Sequence, residues 1–200
     1  MANGTFFDYG IHPEIGDAGT YFYHSHVGFQ QTTAHGALIE EEAKPPQTYD
    51  DDRTLVLADY YNKNDTTIVD GLLANPFKWS GEPNNVAING HSGNISFNNA
   101  SNPSCTPHII HVEPGKRYRL RFVGATALFF VRLASEQHHS LEVIEADGLA
   151  TKPVTIDYIE VVPGQRFSHV LQSKSLANYK LQTRLTFGFD TRLEIVQRMS

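Results

Sequence analysis

His24 and His26 lie two residues apart in Gly19-Thr20-Tyr21-Phe22-Tyr23-His24-Ser25-His26-Val27-Gly28-Phe29-Gln30, an aromatic run that closes on glycine. On a strand, residues i and i+2 share a face. A rise of about 3.3 Å per residue starts the two imidazoles roughly 6 to 7 Å apart. That spacing suits side chains that each hold a different ion of a close metal pair, and copper is a natural candidate because imidazole serves it well. The spacing alone carries little. With 10 His in 200 residues, a chance His-x-His is about an even bet, and neighbouring strand histidines are commonly structural or surface residues. The surrounding sequence has to decide.

The elements that position this pair read as β throughout. Thr54 to Tyr60 is a short apolar run bounded by polar residues. Arg117 to Phe122 alternates strictly, with arginines on one face and Tyr118, Leu120 and Phe122 on the other. The arginine row is expected to be the solvated face of a half-buried strand. Further strands are expected at Phe129 to Ala134, Leu141 to Ala146, Ile156 to Val162, Phe167 to Gln172 and Tyr179 to Thr183. Their spacing with Gly/Pro punctuation fits a sandwich or barrel. Pro114-Gly115 and Pro163-Gly164 suit type II turns, whose third position needs positive φ, and Asp147-Gly148 is another turn signal.

Glu40 to Asp52, charged and carrying Pro45-Pro46, is the expected boundary between units. Its acidic groups, Glu40 to Glu42 and Asp50 to Asp52, read as a solvated charge run. Fewer than fifty residues precede it, too few for an independent sandwich core. They must pack on something else or be the tail of a unit whose beginning is absent.

Composition narrows the function. Net charge is −6, which disfavours non-specific nucleic-acid or anionic-membrane binding. No apolar run approaches a membrane span, and the amino terminus lacks the basic and apolar regions of a signal peptide. Asn3, Asn64, Asn94 and Asn99 each head an N-glycosylation sequon, whereas Asn102 is excluded by Pro103; the excess leans toward a secreted glycoprotein. Cys105 is the lone cysteine. It reads as half of a disulfide with a partner outside the chain, or as a free thiol. There is no G-x-S-x-G, paired Cys-x-x-Cys or glycine-rich phosphate loop to support a hydrolase or nuclease.

The segment Ile11 to Gln30 resembles the copper-binding close of a multicopper oxidase first domain, and Gly36 to Ile39 resembles that domain's final strand. Pro83 to Gly90, His111 to Val123, Leu141 to Gly148 and Gly164 to Phe167 are similar to the second domain of the same family, with fungal, ascorbate-oxidase-like members nearest in pattern. The resemblance implies an all-β, cupredoxin-like Greek-key β-sandwich preceded by part of another cupredoxin domain. It divides the chain into 1–47 (end of the first domain, with the His-x-His), 48–184 (second domain) and 185–200 (divergent tail). In this family reductants such as phenols, enediols or metal ions lose electrons one at a time at a type 1 copper. The electrons pass to a trinuclear cluster that reduces O₂ to water. His24 and His26 match the second of four His-x-His motifs, so each would bind a different type 3 copper.

The remaining ligand motifs are not seen. His108-Ile109-Ile110-His111 has a His-x-x-His skeleton without a following x-His, and His12, His35, His91, His138, His139 and His169 show no ligand pattern. A type 1 site needs a cysteine ligand, and Cys105 has no flanking histidine. The expectation is therefore a fragment, inactive alone, whose partners are copper and the missing first- and third-domain segments, with O₂ and reductant bound only in a complete enzyme. A truncated or misassembled reading frame, a splice product and a deliberately shortened chain all fit. The alternative is a non-catalytic cupredoxin-like structural or binding module.

Overall fold

The computed structural model describes residues 4–92, 108–135, 141–173, 179–184 and 190–197. Two strands, β1 (Gly19–His24) and β2 (His35–Glu40), form an antiparallel ribbon in which Gly19 pairs with Glu40 and His24 with His35. Then follow β3 (Asp51–Tyr60), α1 (Asp65–Leu73), β4 (Asn85–Ile88), β5 (Ile109–Val112), β6 (Arg117–Gly124) and β7 (Val131–Ser135). The chain ends through β8 (Leu141–Ala146), β9 (Leu149–Ile156), β10 (Tyr158–Val161), β11 (Arg166–Gln172), β12 (Tyr179–Arg184) and β13 (Asp190–Gln197).

These strands make a six-stranded sheet, β4-β3-β6-β11-β8-β9, facing a five-stranded sheet, β10-β7-β12-β13-β5. The chain crosses repeatedly between the two, which places β3 parallel to β6 and β5 parallel to β13. Such crossings are what a Greek-key sandwich requires. Period-2 alternation supplies the core: Leu55 and Leu57 of β3, Tyr118, Leu120 and Phe122 of β6, Val131 and Leu133 of β7, and Val161 of β10 are all buried together. Each such aliphatic side chain contributes about 1.5–3 kcal/mol on burial.

Most expected strands are present within two residues of their expected ends. The Ile156 to Val162 run is not one strand. It breaks at Asp157, so β9 stays in the six-stranded sheet while β10 joins the other. Gly115 and Gly164 take the positive φ their turns require, 76° and 86°. The expected tail contains β13, which pairs with β12 and β5 inside the sandwich. Helix α1 had no counterpart in the sequence reading. Asn64 caps it by accepting the Thr66 amide at 2.9 Å, Asp65 favours the positive end of its dipole, and Ile68 anchors it in the interior.

The arginine row overturns its expectation. Arg119 and Arg121 are only 2 % and 1 % exposed. They lie on the face of the six-stranded sheet away from the sandwich core, and the β1–β2 ribbon covers that face. The acidic run is likewise no free charge run: Glu42 pairs with Arg119 at 3.0 Å, Asp52 with Arg121 at 2.8 Å, and Asp50 accepts the Arg117 amide at 2.7 Å. Guanidinium groups can be buried only when paired, and the carboxylates that pair them come from segments the alternation of β6 does not reveal.

The register explains the arrangement. Arg121, Ser168 and Glu145 are direct cross-strand neighbours on β6, β11 and β8, so their side chains form one row. Glu145, 1 % exposed, accepts from the Thr20 amide at 2.5 Å, the Thr20 hydroxyl at 2.8 Å, Arg119 at 2.9 Å and the Ser168 hydroxyl. Arg121 donates to the same Thr20 hydroxyl at 2.9 Å. Burial alone would raise the Glu145 pKa, but the hydrogen bonds from Ser168, Arg119 and Thr20 outweigh it and hold the carboxyl below its ordinary value. Burial likewise works against the Arg119 charge, and the bonds to Glu145 and Tyr49 overcome it, leaving its pKa raised. Beside this row Arg166 donates to the Thr20 carbonyl at 3.0 Å and lies over the Tyr21 ring. Gly19 meets Gly148 so closely that a Cβ on Gly19 would overlap the Gly148 carbonyl.

Glu145→Gln removes the carboxylate between two buried guanidinium groups while Arg119 keeps Glu42 and Arg121 keeps Asp52, and is expected to lower unfolding stability by about 1.5–3 kcal/mol in urea titration. Since the folded-state pKa of Glu145 lies below its unfolded value, the stability it supplies is complete above about pH 4.3. It is lost as pH falls through the lowered folded value. Acid titration should therefore destabilise the wild type more steeply below about pH 4 than Glu145→Gln; equal slopes would contradict the assignment.

Candidate metal centre

β1 ends at His24, so His26 lies just beyond the strand. The chain has begun to turn there, with Ser25 accepting the Val27 amide on its hydroxyl at 3.2 Å and donating to Gln30 at 2.9 Å. The two imidazoles consequently come closer than a regular strand repeat gives. Their ring centroids are 4.5 Å apart with the planes tilted by 31°, and Phe22 stacks on His24 at 5.1 Å. The contact with Phe22 restricts rotation of His24. His24 is half-buried and His26 exposed at the rim.

One hydrogen bond sets the chemistry of His24. Its Nδ1 is 3.1 Å from the Ser25 carbonyl oxygen. A carbonyl can only accept, so Nδ1 carries the proton and Nε2 presents its lone pair. This is the tautomer of a metal-binding imidazole whose orientation is fixed by a backbone acceptor. The residues present thus fit copper ligation through Nε2 of His24, with His26 beside it. Among the described residues no group of three or more His, Cys, Asp or Glu side chains is placed to hold a metal ion together.

Two anchors hold this pair. Before it, Thr20 is bound into the Glu145 row. After it, Phe29 is buried and packs edge-on to Tyr61 at 6.0 Å. Tyr61 donates its hydroxyl to Asp59 at 3.2 Å, and Asp59, fully buried, accepts three backbone amides, from Ala127, Leu128 and Phe129, at 2.8 to 3.1 Å. Burial and the Asp59 charge push the Tyr61 phenol well above its ordinary pKa, so it stays a donor at all physiological pH. Gln31 adds a bond to the Thr126 carbonyl at 3.4 Å. The His-bearing segment is therefore pinned to the six-stranded sheet four residues before His24 and three residues after His26.

The other histidines are scattered. His35 is opposite His24 in the ribbon, where directly paired residues share a face; its Nδ1 donates to the Gln31 carbonyl at 2.6 Å. His108 is half-buried with its ring 5.6 Å from that of His91, and burial, then the neighbouring His91, lower its pKa. His111 is exposed on β5, His12 is exposed near the amino end, and His169 is buried against Phe122. His138, His139, Cys105, Asn3, Asn94 and Asn99 lie outside the described residues. The residues that sequence reading missed are the anchors. Only the interior position of Glu145 in an otherwise apolar alternation, and of Asp59 at the end of a buried strand, hint at them.

A strand–loop–strand His-x-His clamped onto a cupredoxin-like sandwich defines a protein of the copper-oxidase class. The multicopper oxidase family profile matches residues 51–196, and the chain belongs to that family, whose metal is copper. It is 57 % identical over 173 residues to the multicopper oxidase aurL2 of Gibberella zeae, covering 86 % of this chain and 29 % of that one. It is 37 % identical to laccase-like multicopper oxidase 1 of Thermothelomyces thermophilus, covering 94 % and 36 %. Among solved structures, Fet3p, described as a multicopper oxidase that functions in iron import, superposes with a TM-score of 0.76 at 21 % identity, covering 92 % of this chain and 35 % of that one. The laccase from Botrytis aclada gives 0.72 at 21 %, with 92 % and 36 % covered. The chain thus spans about a third of the length of the relatives it matches.

Tyr61→Phe removes one neutral donor and leaves the three amides on Asp59, so it is expected to cost about 1 kcal/mol. Asp59→Ala strands those amides and should cost at least twice as much, read by thermal unfolding. Equal losses would show that Asp59 is not the hub of the second anchor.

Proposed function

We propose that this chain supplies part of a copper-dependent oxidase, in which His24 and His26 each ligate a different copper of a type 3 pair. The observation that carries the reading is the pair itself: two imidazoles 4.5 Å apart, with the Nδ1 proton of His24 committed to the Ser25 carbonyl. When bound, copper supplies one-electron chemistry that couples oxidation of a phenolic, enediol or similar reductant to reduction of O₂. The residues of this chain hold and orient. Ser25 fixes the His24 tautomer, Phe22 restricts its ring, and the Glu145 and Asp59 anchors set the ribbon against the sandwich. In this reading residues 1–47 close a first cupredoxin domain and the second begins at residue 48; the family match runs on through residue 196, so β13 belongs to that second domain rather than to a divergent tail. Further ligands, the O₂ site and the reductant pocket come from the rest of a complete enzyme. Family and sequons support a secreted glycoprotein; no helix among the described residues is long and apolar enough to cross a membrane.

Copper titration of the purified chain tests this directly. His24→Ala and His26→Ala are each expected to weaken binding at least tenfold, about 1.4 kcal/mol. Identical weak binding in all three proteins would contradict the assignment and favour a non-catalytic module. The copper-loaded chain alone should show no turnover of phenolic or ascorbate-type reductants. Robust turnover would refute the claim that further ligands are required.

A further inference from the structure

The sequon Asn64-Asp65-Thr66 occupies the first turn of α1. Asn64 and Thr66 are exposed. The Asn64 side chain is divided in use: Oδ1 accepts the Thr66 amide, while Nδ2 makes no hydrogen bond among the described residues. An N-glycosidic bond forms at Nδ2 and leaves the group an amide, so Oδ1 keeps its acceptor role and the helix keeps its cap. Attachment here breaks no hydrogen bond among the described residues, in contrast to the amide of Asn89, whose Nδ2 and Oδ1 both bind β3.

Beside the sequon lies a cleft of about 300 Å³ lined by Val27, Phe29, Gln30, Asp65, Thr66 and Val69. That volume is at the lower limit of small-ligand sites. One wall is α1 and the other is the loop that follows His26, where Val27 is 66 % exposed. Its apolar side chains flanked by polar ones suit a pyranose ring, which presents C–H groups on one face and hydroxyls at its edge.

We propose that Asn64 carries an N-linked glycan whose first sugar lies over this cleft and steadies the loop that follows His26. The reaction joins Nδ2 to the anomeric carbon of an oligosaccharide delivered from a lipid-linked pyrophosphate donor; the pyrophosphate leaves and one Nδ2 proton is lost. The proposal rests on the secretory passage in the reading above and is independent of copper ligation.

The test is translation of the full chain behind a cleavable leader in the presence of endoplasmic-reticulum microsomes. Leader removal reports entry separately from modification, so failure of secretory passage and failure of the site are distinguishable. In leader-cleaved chains, enzymatic deglycosylation in heavy-oxygen water is expected to convert Asn64 to labelled aspartate in most molecules, and an unmodified Asn64 would overturn the proposal. Thr66→Ala and Asn64→Asp both preserve the cap, through the residue-66 amide and a side-chain oxygen respectively. Both should abolish the modification at residue 64 without changing the circular dichroism spectrum. Enzymatic deglycosylation leaves an aspartate at position 64, which still caps α1, so glycosylated and deglycosylated chains share the helix cap and differ in the sugar. Amide exchange over residues 27–30 should be slower by about threefold or more with the glycan present. Exchange in Asn64→Asp, which never carries the sugar, should match that of the deglycosylated chain. Equal exchange with and without the glycan would overturn the placement of the sugar.

Discussion

The structure depends on one buried carboxylate. Glu145 lies where β8 of the sandwich meets β1 of the ribbon, and it bonds the Thr20 backbone, the Thr20 hydroxyl, Arg119 and Ser168 at once. Two guanidinium groups inserted between a sheet and a ribbon would be costly without it. With it, a face of the six-stranded sheet that would otherwise need solvent accepts a second layer. The sheet is then covered on both sides: apolar packing holds one face, and a charge-assisted network holds the other.

This difference between the faces matters for the histidines. An apolar contact tolerates sliding, whereas hydrogen bonds from a fixed row of side chains set register. Thr20 is four residues from His24, and along a strand that distance transmits position rigidly. The turn after His26 is held by the Gln31 bond to the Thr126 carbonyl and by Phe29 packed on Tyr61, which is itself bonded to the amide-clamped Asp59. Between the two anchors the backbone leaves β geometry at Ser25, and that departure brings the rings to 4.5 Å and gives His24 its carbonyl partner. The local geometry of the pair is thus a consequence of long-range bonds made by residues that touch neither ring.

Much of the sandwich was legible because period-2 alternation marks a core face: Leu55 and Leu57, or Tyr118, Leu120 and Phe122, are visible without coordinates. The family and the His-x-His were legible because aromatic, histidine and glycine positions around residues 19–30 form a dense local pattern. The arginine face of β6 was misread for a physical reason. Alternation shows that Arg119 and Arg121 point away from one core, but it does not show that a ribbon roughly a hundred residues earlier covers them. Asp157 divides one apolar run between two sheets, and nothing in the run itself signals the crossing. Helix α1 carries a recognisable cap in Asn64 and Asp65, yet its nine residues bury only Ile68, too little amphipathic pattern to stand out. The tautomer of His24 was invisible because it rests on a backbone carbonyl.

Native-state hydrogen exchange across β1 measures the central constraint most directly. If Glu145 and its row pin the ribbon, the Thr20 amide and its strand neighbours should be protected at neutral pH to nearly the same degree as β6. That protection should drop, ahead of the sandwich's own, as acid protonates the carboxylate. Free exchange of β1 at neutral pH beside a protected β6 would show that the ribbon is not held by this network, and the account of how His24 and His26 are positioned would fail with it.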